Sequence, residues 1–313
     1  MFCEITEVRN VTSLGAGPIG GGWTAHFLAN GYDVKAYLHD KSEIEDFYNI
    51  LKTAWISLKA LGLAQGASLD RLTIFNDLES AVEGAQFIQE SAPERLDIKQ
   101  TLYQTLGTIV PQNVVIASST SGLMMTNIQE KCSTPGRTVI GHPFNPPYLL
   151  PLVEIVGGKK TNPKTVAWAE SFYAASGKSP LVMKKEIPGF VATRLQEALW
   201  REALHMVANG EATPADIDNA LINGPAARMA VQGQCMAFHV ACGEGGMATN
   251  LDQFGPALKL PWTRLKAPEL TKELRDRMVN GCTEIASGQD FKEMALQRDK
   301  SIVAVLNAIK QSK

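Results

Sequence analysis

The sequence predicts an α/β chain: a doubly wound parallel sheet with helices on both faces, followed by an all-helical C-terminal domain. Three observations carry this expectation. Short apolar, β-prone runs alternate with helical stretches through the first half. A glycine motif, Gly15-Ala16-Gly17-Pro18-Ile19-Gly20, stands between the first such run and the first helical stretch. The alternation stops at Pro188-Gly189-Phe190, and the residues beyond it keep helical spacing towards the C-terminus.

The first strand is expected at residues 8–14 and the first helix from Gly21 to Asn30. A strand, a tight glycine turn and a helix N-terminus form a cradle for a dinucleotide pyrophosphate. Glycine permits the turn and lets backbone approach the phosphates, and the helix start offers free N–H groups and a partial positive charge. The second strand, at residues 33–38, lies at βαβ distance, so the unit reads as Rossmann-type. That strand should close on Asp or Glu, to bind the adenosine ribose. The position holds Leu38, with His39 and Asp40 after it. Either Asp40 takes the ribose, or the contact is missing and a carboxylate at 38 would tighten cofactor binding. No arginine stands here to meet a 2′-phosphate, so NAD is expected and NADP is not.

Further strands are expected at residues 85–89, 114–118, 138–142 and Leu152–Val156. Residues 193–207 carry Leu195, Leu199, Ala203 and Met206 at helical spacing. Thr213-Pro214-Ala215-Asp216 reads as a capped helix start with proline at the first helical position. The division falls near residue 187, giving domains at 1–187 and 188–313.

A net charge of −2 and the absence of any Lys/Arg block argue against a nucleic-acid partner. No apolar run reaches the roughly 18 residues a membrane span needs. The N-terminal residues lack a basic stretch followed by an apolar core, so no signal peptide is expected. The five cysteines, Cys3, Cys132, Cys235, Cys242 and Cys282, form no C-x-x-C pair. Their odd number and scatter speak against a disulfide framework or a metal site and for a reducing, cytoplasmic setting.

Two segments carry the chemical signal. One is the hydroxyl-rich loop Ala117-Ser118-Ser119-Thr120-Ser121-Gly122-Leu123. The other is Gly141-His142-Pro143-Phe144-Asn145-Pro146, followed by Leu152-Val153-Glu154. Together with the glycine motif, the run from Glu90 to Lys99 and Pro188-Gly189-Phe190, they resemble the 3-hydroxyacyl-CoA dehydrogenase family over nearly the whole chain. Residues 89–96, 148–154, 197–204 and 253–258 are most similar to the branch of that family that oxidises L-carnitine. The resemblance implies NAD-dependent oxidation of a secondary 3-hydroxyl to a ketone, with the C-terminal domain serving substrate binding and homodimer formation. Alternatives within the fold are another 3-hydroxyacyl-CoA or 3-hydroxy acid dehydrogenase, including an L-gulonate-like one. A non-catalytic, crystallin-like protein on the same scaffold is the alternative of another class.

The chemistry asks for a base with a pKa near 7, which histidine supplies, and for a carboxylate to fix its tautomer. The resemblance puts His142 in the first role and Glu154 in the second. It also implies that Ser121 hydrogen-bonds the substrate oxygen, that Asn145 lies near the nicotinamide, and that Glu94 and Lys99 line the cofactor cleft. Thr193 stands where the family has a substrate-contacting asparagine, and a hydroxyl cannot reproduce both ends of an amide. A trimethylammonium substrate asks for aromatic faces. Residues 224–233 have none and include Arg228, so the candidates are Phe144, Tyr148, Phe190, Phe238, Phe254 and Trp262. His26, His39, His205 and His239 read as core or surface histidines.

Overall fold

The computed structural model describes residues 2–242, 246–256, 260–264, 271–286, 288 and 291–311. The chain forms two compact units, Met1–Thr193 and Arg194–Lys313. In the first, the elements run β1 (Asn10–Leu14), α1 (Pro18–Ala29), β2 (Asp33–Tyr37), α2 (Ile44–Leu61), β3 (Leu72–Phe75), α3 (Leu78–Val82), β4 (Phe87–Glu90) and α4 (Leu96–Ile109). They continue with β5 (Val115–Ser118), α5 (Met125–Ile128), β6 (Thr138–Pro143), β7 (Leu152–Val156), α6 (Pro163–Ala175) and β8 (Ser179–Val182).

The strands make one sheet in the order β3-β2-β1-β4-β5-β6-β7-β8. Neighbouring pairs are parallel except β6 and β7, which are antiparallel. The sheet is thus mostly parallel, with one antiparallel pair. The connection between β6 and β7, residues 144–151, is too short for the crossover of a dozen or more residues that a parallel return requires. Two strands lie outside the sequence expectations. Both β3 and β8 are edge strands, mostly half-buried or exposed, and neither presents an unbroken apolar run. The central strands β4 and β5 are buried at every position, as a sheet covered on both faces demands.

Strand order reverses between β1 and β4, so the crevice at their carboxyl ends is the place where such sheets bind ligands. Helix α1 starts there and is buried from Gly20 to Ala29. Its packing depends on missing side chains. A Cβ on Gly21 would meet Ile50 at 2.8 Å, and one on Gly22 would meet Pro147 at 2.8 Å. Trp23 and Phe27 stack at 5.2 Å, and Phe27 joins Phe87 and Phe172 in an aromatic core behind the helix.

The second unit is helical among its described residues. It comprises most of α7 (Ala192–Ala208), then α8 (Pro214–Leu221), α9 (Ala227–Ala241), α10 (Gly246–Phe254), α11 (Lys272–Ala286) and α12 (Phe291–Gln311). The predicted start at Thr213 is present as a reciprocal cap. Asp216 N–H donates to the Thr213 hydroxyl, and Thr213 N–H donates to the Asp216 carboxylate. The apolar stripe of α7 is not all core: Leu195 is 66% and Leu199 52% exposed. The backbone at residues 224–233 is described, but the side chain of Arg228 lies outside the described residues.

Leu38 is fully buried, and its carbonyl accepts a hydrogen bond from Asn76 at 2.9 Å. It belongs to the core, one residue past the end of β2, and a carboxylate there would not reach a ribose. Leu38→Asp should lower the unfolding free energy by about 3 kcal/mol or more, the scale of an uncompensated buried charge. Denaturant titration reads this, and tighter NAD binding by a stable Leu38→Asp protein would contradict the burial argument.

Candidate active site

The three glycines of the motif do different things. Gly15 has φ +120°, and a Cβ there would meet the Ser91 carbonyl oxygen at 2.5 Å. Gly20 packs so closely on Gly15 that any side chain would run into its backbone. Gly17 meets nothing within 4 Å. Its small size serves no protein contact and leaves the approach to α1 open. Gly17 is also the N-cap of α1, with no side-chain cap, and the first turn, which begins with Pro18 and Ile19, contains no acidic residue. An uncapped helix start without resident negative charge suits a pyrophosphate, so the residues present fit a dinucleotide. Ala16 links Gly15 to Gly17 in the same turn.

Asp40 is the exposed carboxylate after β2. It caps the short helical turn Lys41–Glu43, accepting the Ser42 N–H at 2.8 Å. The Ser42 backbone and hydroxyl hold its carboxyl below the usual value.

Opposite the glycine turn, β4 ends in a network of buried polar groups. Lys99, on α4, is 1% exposed and donates to Glu90 Oε1 at 2.6 Å and to the Ala92 carbonyl at 3.0 Å. Glu90 Oε2 accepts the Ser118 hydroxyl at 2.6 Å. Glu94 Oε2 lies 3.7 Å from the same ammonium. Glu94 Oε1 gathers the hydroxyl–amide loop, accepting Thr120 Oγ1 at 2.6 Å, Ser121 N–H at 2.9 Å and Gly122 N–H at 3.2 Å. Ser121 itself is exposed, its hydroxyl 3.3 Å from that oxygen. The structure therefore brings Glu94, Lys99 and Ser121 into one hydrogen-bonded group. Glu90, which sequence reasoning did not single out, is its buried counter-charge.

The second group sits where the sheet inverts. His142 on β6 and Glu154 on β7 are register partners across the antiparallel pair. His142 Nδ1 lies 2.8 Å from Glu154 Oε2, with the histidine 6% and the glutamate 0% exposed. Glu154 Oε1 accepts the Val191 and Ala192 N–H groups, each at 2.8 Å. These are donors at the start of α7. Burial pushes the Glu154 carboxyl up. The His142 hydrogen bond and the two backbone donors outweigh it and hold the group below its ordinary value. An ionised carboxylate only accepts, so Nδ1 carries a proton.

The His142 ring packs against two phenylalanines. Phe144 is 5.4 Å away at 64° and Phe190 is 5.5 Å away at 52°. Phe190 is fully buried and has φ +48°, a conformation non-glycine residues rarely take. With Gly189 at φ +72°, it turns the chain so that the next two N–H groups meet Glu154. Backbone donors leave no mark in a sequence, which is why this half of the Glu154 site was not legible. Asn145 is exposed beside Phe144, and Thr193 is half-buried in the first turn of α7. Among the proposed aromatic partners, Tyr148 and Phe190 are buried, while Phe238, Phe254 and Trp262 are exposed. No group of three or more potential metal ligands occurs among the described residues.

Residues 10–187 match the family described as 3-hydroxyacyl-CoA dehydrogenase, NAD binding domain, and residues 189–282 match its C-terminal domain. An L-carnitine dehydrogenase from Streptomyces griseus is 55% identical over 306 residues, 98% of this chain and 91% of the relative. One from Pseudomonas putida is 46% identical over 99% of this chain and 96% of its own length. Among solved structures, 5-formyl-3-hydroxy-2-methylpyridine 4-carboxylic acid 5-dehydrogenase, described as an NAD+-dependent dismutase, superposes with a TM-score of 0.81. It is 30% identical and covers 97% of this chain and 99% of its own.

The lowered value of Glu154 has a sign in stability. The contribution is complete above the ordinary carboxylate value and is lost as the pH falls through the folded-state value. The melting-temperature gap between the wild type and Glu154→Gln should be widest near neutrality and close in acid. A gap that stays constant into acid would show that Glu154 is not held charged by the fold.

Proposed function

The chain belongs to the 3-hydroxyacyl-CoA dehydrogenase family, and from that premise we propose that it oxidises the 3-hydroxyl of L-carnitine, with His142 as general base and Glu154 as its orienting partner. It is an NAD-dependent dehydrogenase. The observation that carries the mechanism is the buried His142–Glu154 pair at 2.8 Å. The substrate assignment rests on likeness to the enzymes named above.

Gly15, Ala16, Gly17, Pro18, Ile19 and Gly20 hold the pyrophosphate at the start of α1. Asp40 takes the adenosine ribose, and Glu94, Lys99 and Asn145 line the remaining cleft. Bound NAD supplies the acceptor for the hydride that leaves the carbinol carbon. His142 Nε2 takes the hydroxyl proton, and Glu154 stabilises the imidazolium that forms. Ser121 donates to the substrate oxygen, which gains negative character as the proton leaves. Thr193 contributes a hydroxyl to the substrate end of the site.

The quaternary nitrogen of carnitine is two bonds from the reacting carbon, so its aromatic partner must lie close to the base. Phe144 has that position, and it is half-buried where Phe190 is fully covered. The apolar α7 residues Leu195, Leu199 and Trp200 are exposed in the single chain, and a second copy covers them in a homodimer. No helix among the described residues is long and apolar enough to cross a membrane. The described cysteines are free, which suits a cytoplasmic enzyme.

Three measurements test this reading. His142→Ala should lower kcat by at least about 100-fold while NAD affinity changes little. Near-normal turnover would rule out the base assignment. Carnitine should exceed its neutral tert-butyl analogue in kcat/KM by several-fold, on the scale of about 0.5–2 kcal/mol for a cation–π contact. Phe144→Leu should remove most of that advantage. Equal rates, or preference for a CoA-linked substrate, would sink the carnitine assignment and leave the dehydrogenase intact. In sedimentation velocity the wild type should run as a dimer and Leu195→Asp/Leu199→Asp as a monomer, and a monomeric wild type would refute the dimer.

A further inference from the structure

We propose that Lys178 is a positioning residue that clamps the turn between His142 and Glu154 to helix α1, and so fixes the catalytic pair relative to the cofactor cradle. The inference rests on the reading of His142 as the base. Lys178 lies just before β8 and is 8% exposed. Its ammonium donates to the carbonyls of Pro147 and of Leu150, the latter at 3.1 Å. Both carbonyls belong to residues 144–151, the segment joining β6 to β7. That segment is already folded on itself, since the Leu149 and Leu150 N–H groups both reach the Pro146 carbonyl at 3.0 Å.

The same ammonium sits 5.1 Å from the ring centroid of Trp23 on α1. One residue before Trp23, Gly22 admits Pro147, because a Cβ would meet the proline ring at 2.8 Å. The turn therefore touches α1 through a carbon contact and through a buried cation. Helix α1 begins at the glycine cradle, and the turn carries Phe144 and Asn145 at its start. Among the described residues no carboxylate pairs with Lys178. A methionine, one atom shorter and similar in volume, would fill most of the same space without burying a charge. A lysine placed there is explained by the two carbonyls it holds.

Burial pulls the Lys178 ammonium down to about 7. Its titratable neighbour is His26 of α1, kept neutral by burial and by the Lys178 charge. Burial therefore disfavours the charged form of the clamp.

The test compares wild type, Lys178→Met and Gly22→Ala, the last displacing the same turn from the α1 side without touching the charge. Three quantities are read: NAD affinity by titration, kcat, and the NMR signal of His142 Cε1–H, which lies in the ring currents of Phe144 and Phe190. Both variants should bind NAD nearly as the wild type does. Both should lose about 10- to 100-fold in kcat, the scale of a small misplacement of reacting groups, and move the His142 signal. A folded Lys178→Met protein with wild-type kcat and an unmoved signal overturns the proposal. If Lys178→Met does not fold, the same unchanged pair of readouts in Gly22→Ala overturns it. Retained turnover in His142→Ala would remove the base assignment alone, and the His142 signal would still report whether Lys178 holds the strand pair.

Discussion

A carboxylate with no solvent exposure has to be kept charged, and the architecture around Glu154 answers that need. Burying an isolated carboxylate is prohibitive, and in practice such a group takes up a proton unless donors surround it. Glu154 has three: one from an imidazole and two from the backbone. The imidazole donor requires two strands side by side with their residues in register, which the antiparallel β6–β7 pair provides. The backbone donors require the chain to turn sharply after Gly189 and begin a helix with its N–H groups aimed at the carboxylate. Phe190 takes a left-handed backbone conformation to make that turn, and its side chain packs against the histidine. The strand inversion, the strained phenylalanine and the start of α7 thus meet one electrostatic demand.

The Glu90–Lys99–Glu94 network meets a related demand by different means. Here a buried cation is paired at 2.6 Å with a buried anion, and a third charge reaches outward. Only Glu94 faces the surface loop, where one of its oxygens holds the Thr120–Gly122 amides and hydroxyls in a fixed arrangement. A loop ordered by a carboxylate that is itself anchored to a buried lysine loses little further freedom on binding a ligand. The glycine turn across the crevice is ordered in the opposite way, by the absence of side chains where backbone crowds backbone.

Much of this is legible in the sequence, and the limits have physical causes. Buried parallel strands write themselves as apolar runs, so β1, β2, β4, β5, β6 and β7 can be located to within a few residues. The edge strands β3 and β8 have no fully buried residue and leave no clear run. Strand direction is not encoded in periodicity, but the eight residues at 144–151 between β6 and β7 carry the information, because a parallel return cannot be made in that length. Leu38 reads as an empty ribose position, whereas the strand ends one residue earlier and Leu38 points into the core. The pairing of residue types at His142 and Glu154 is visible through resemblance. The two amide donors behind Glu154 are not, since every residue but proline has one. Lys178 illustrates the remaining gap. Between Gly177 and Ser179 it belongs to no motif, and only the three-dimensional course of residues 144–151 reveals that it is enclosed.

Glu154 and Lys178 are both buried charges bonded to the hairpin formed by β6 and β7, and they are handled in opposite ways. The carboxylate receives a full set of donors, one of them from a group able to become cationic, and its proton affinity falls below normal. The ammonium receives two carbonyl dipoles and an aromatic face but no carboxylate among the described residues, and burial brings it to about 7. Dipoles and a quadrupole orient a cation well, yet they offset less of its lost hydration than a formal opposite charge would. The surroundings of Glu154 therefore favour its charged form, while burial disfavours the charged form of Lys178. An uncharged amine would still donate to both carbonyls, and the contact of Pro147 with Gly22 carries no charge, so geometry as well as charge ties the hairpin to α1.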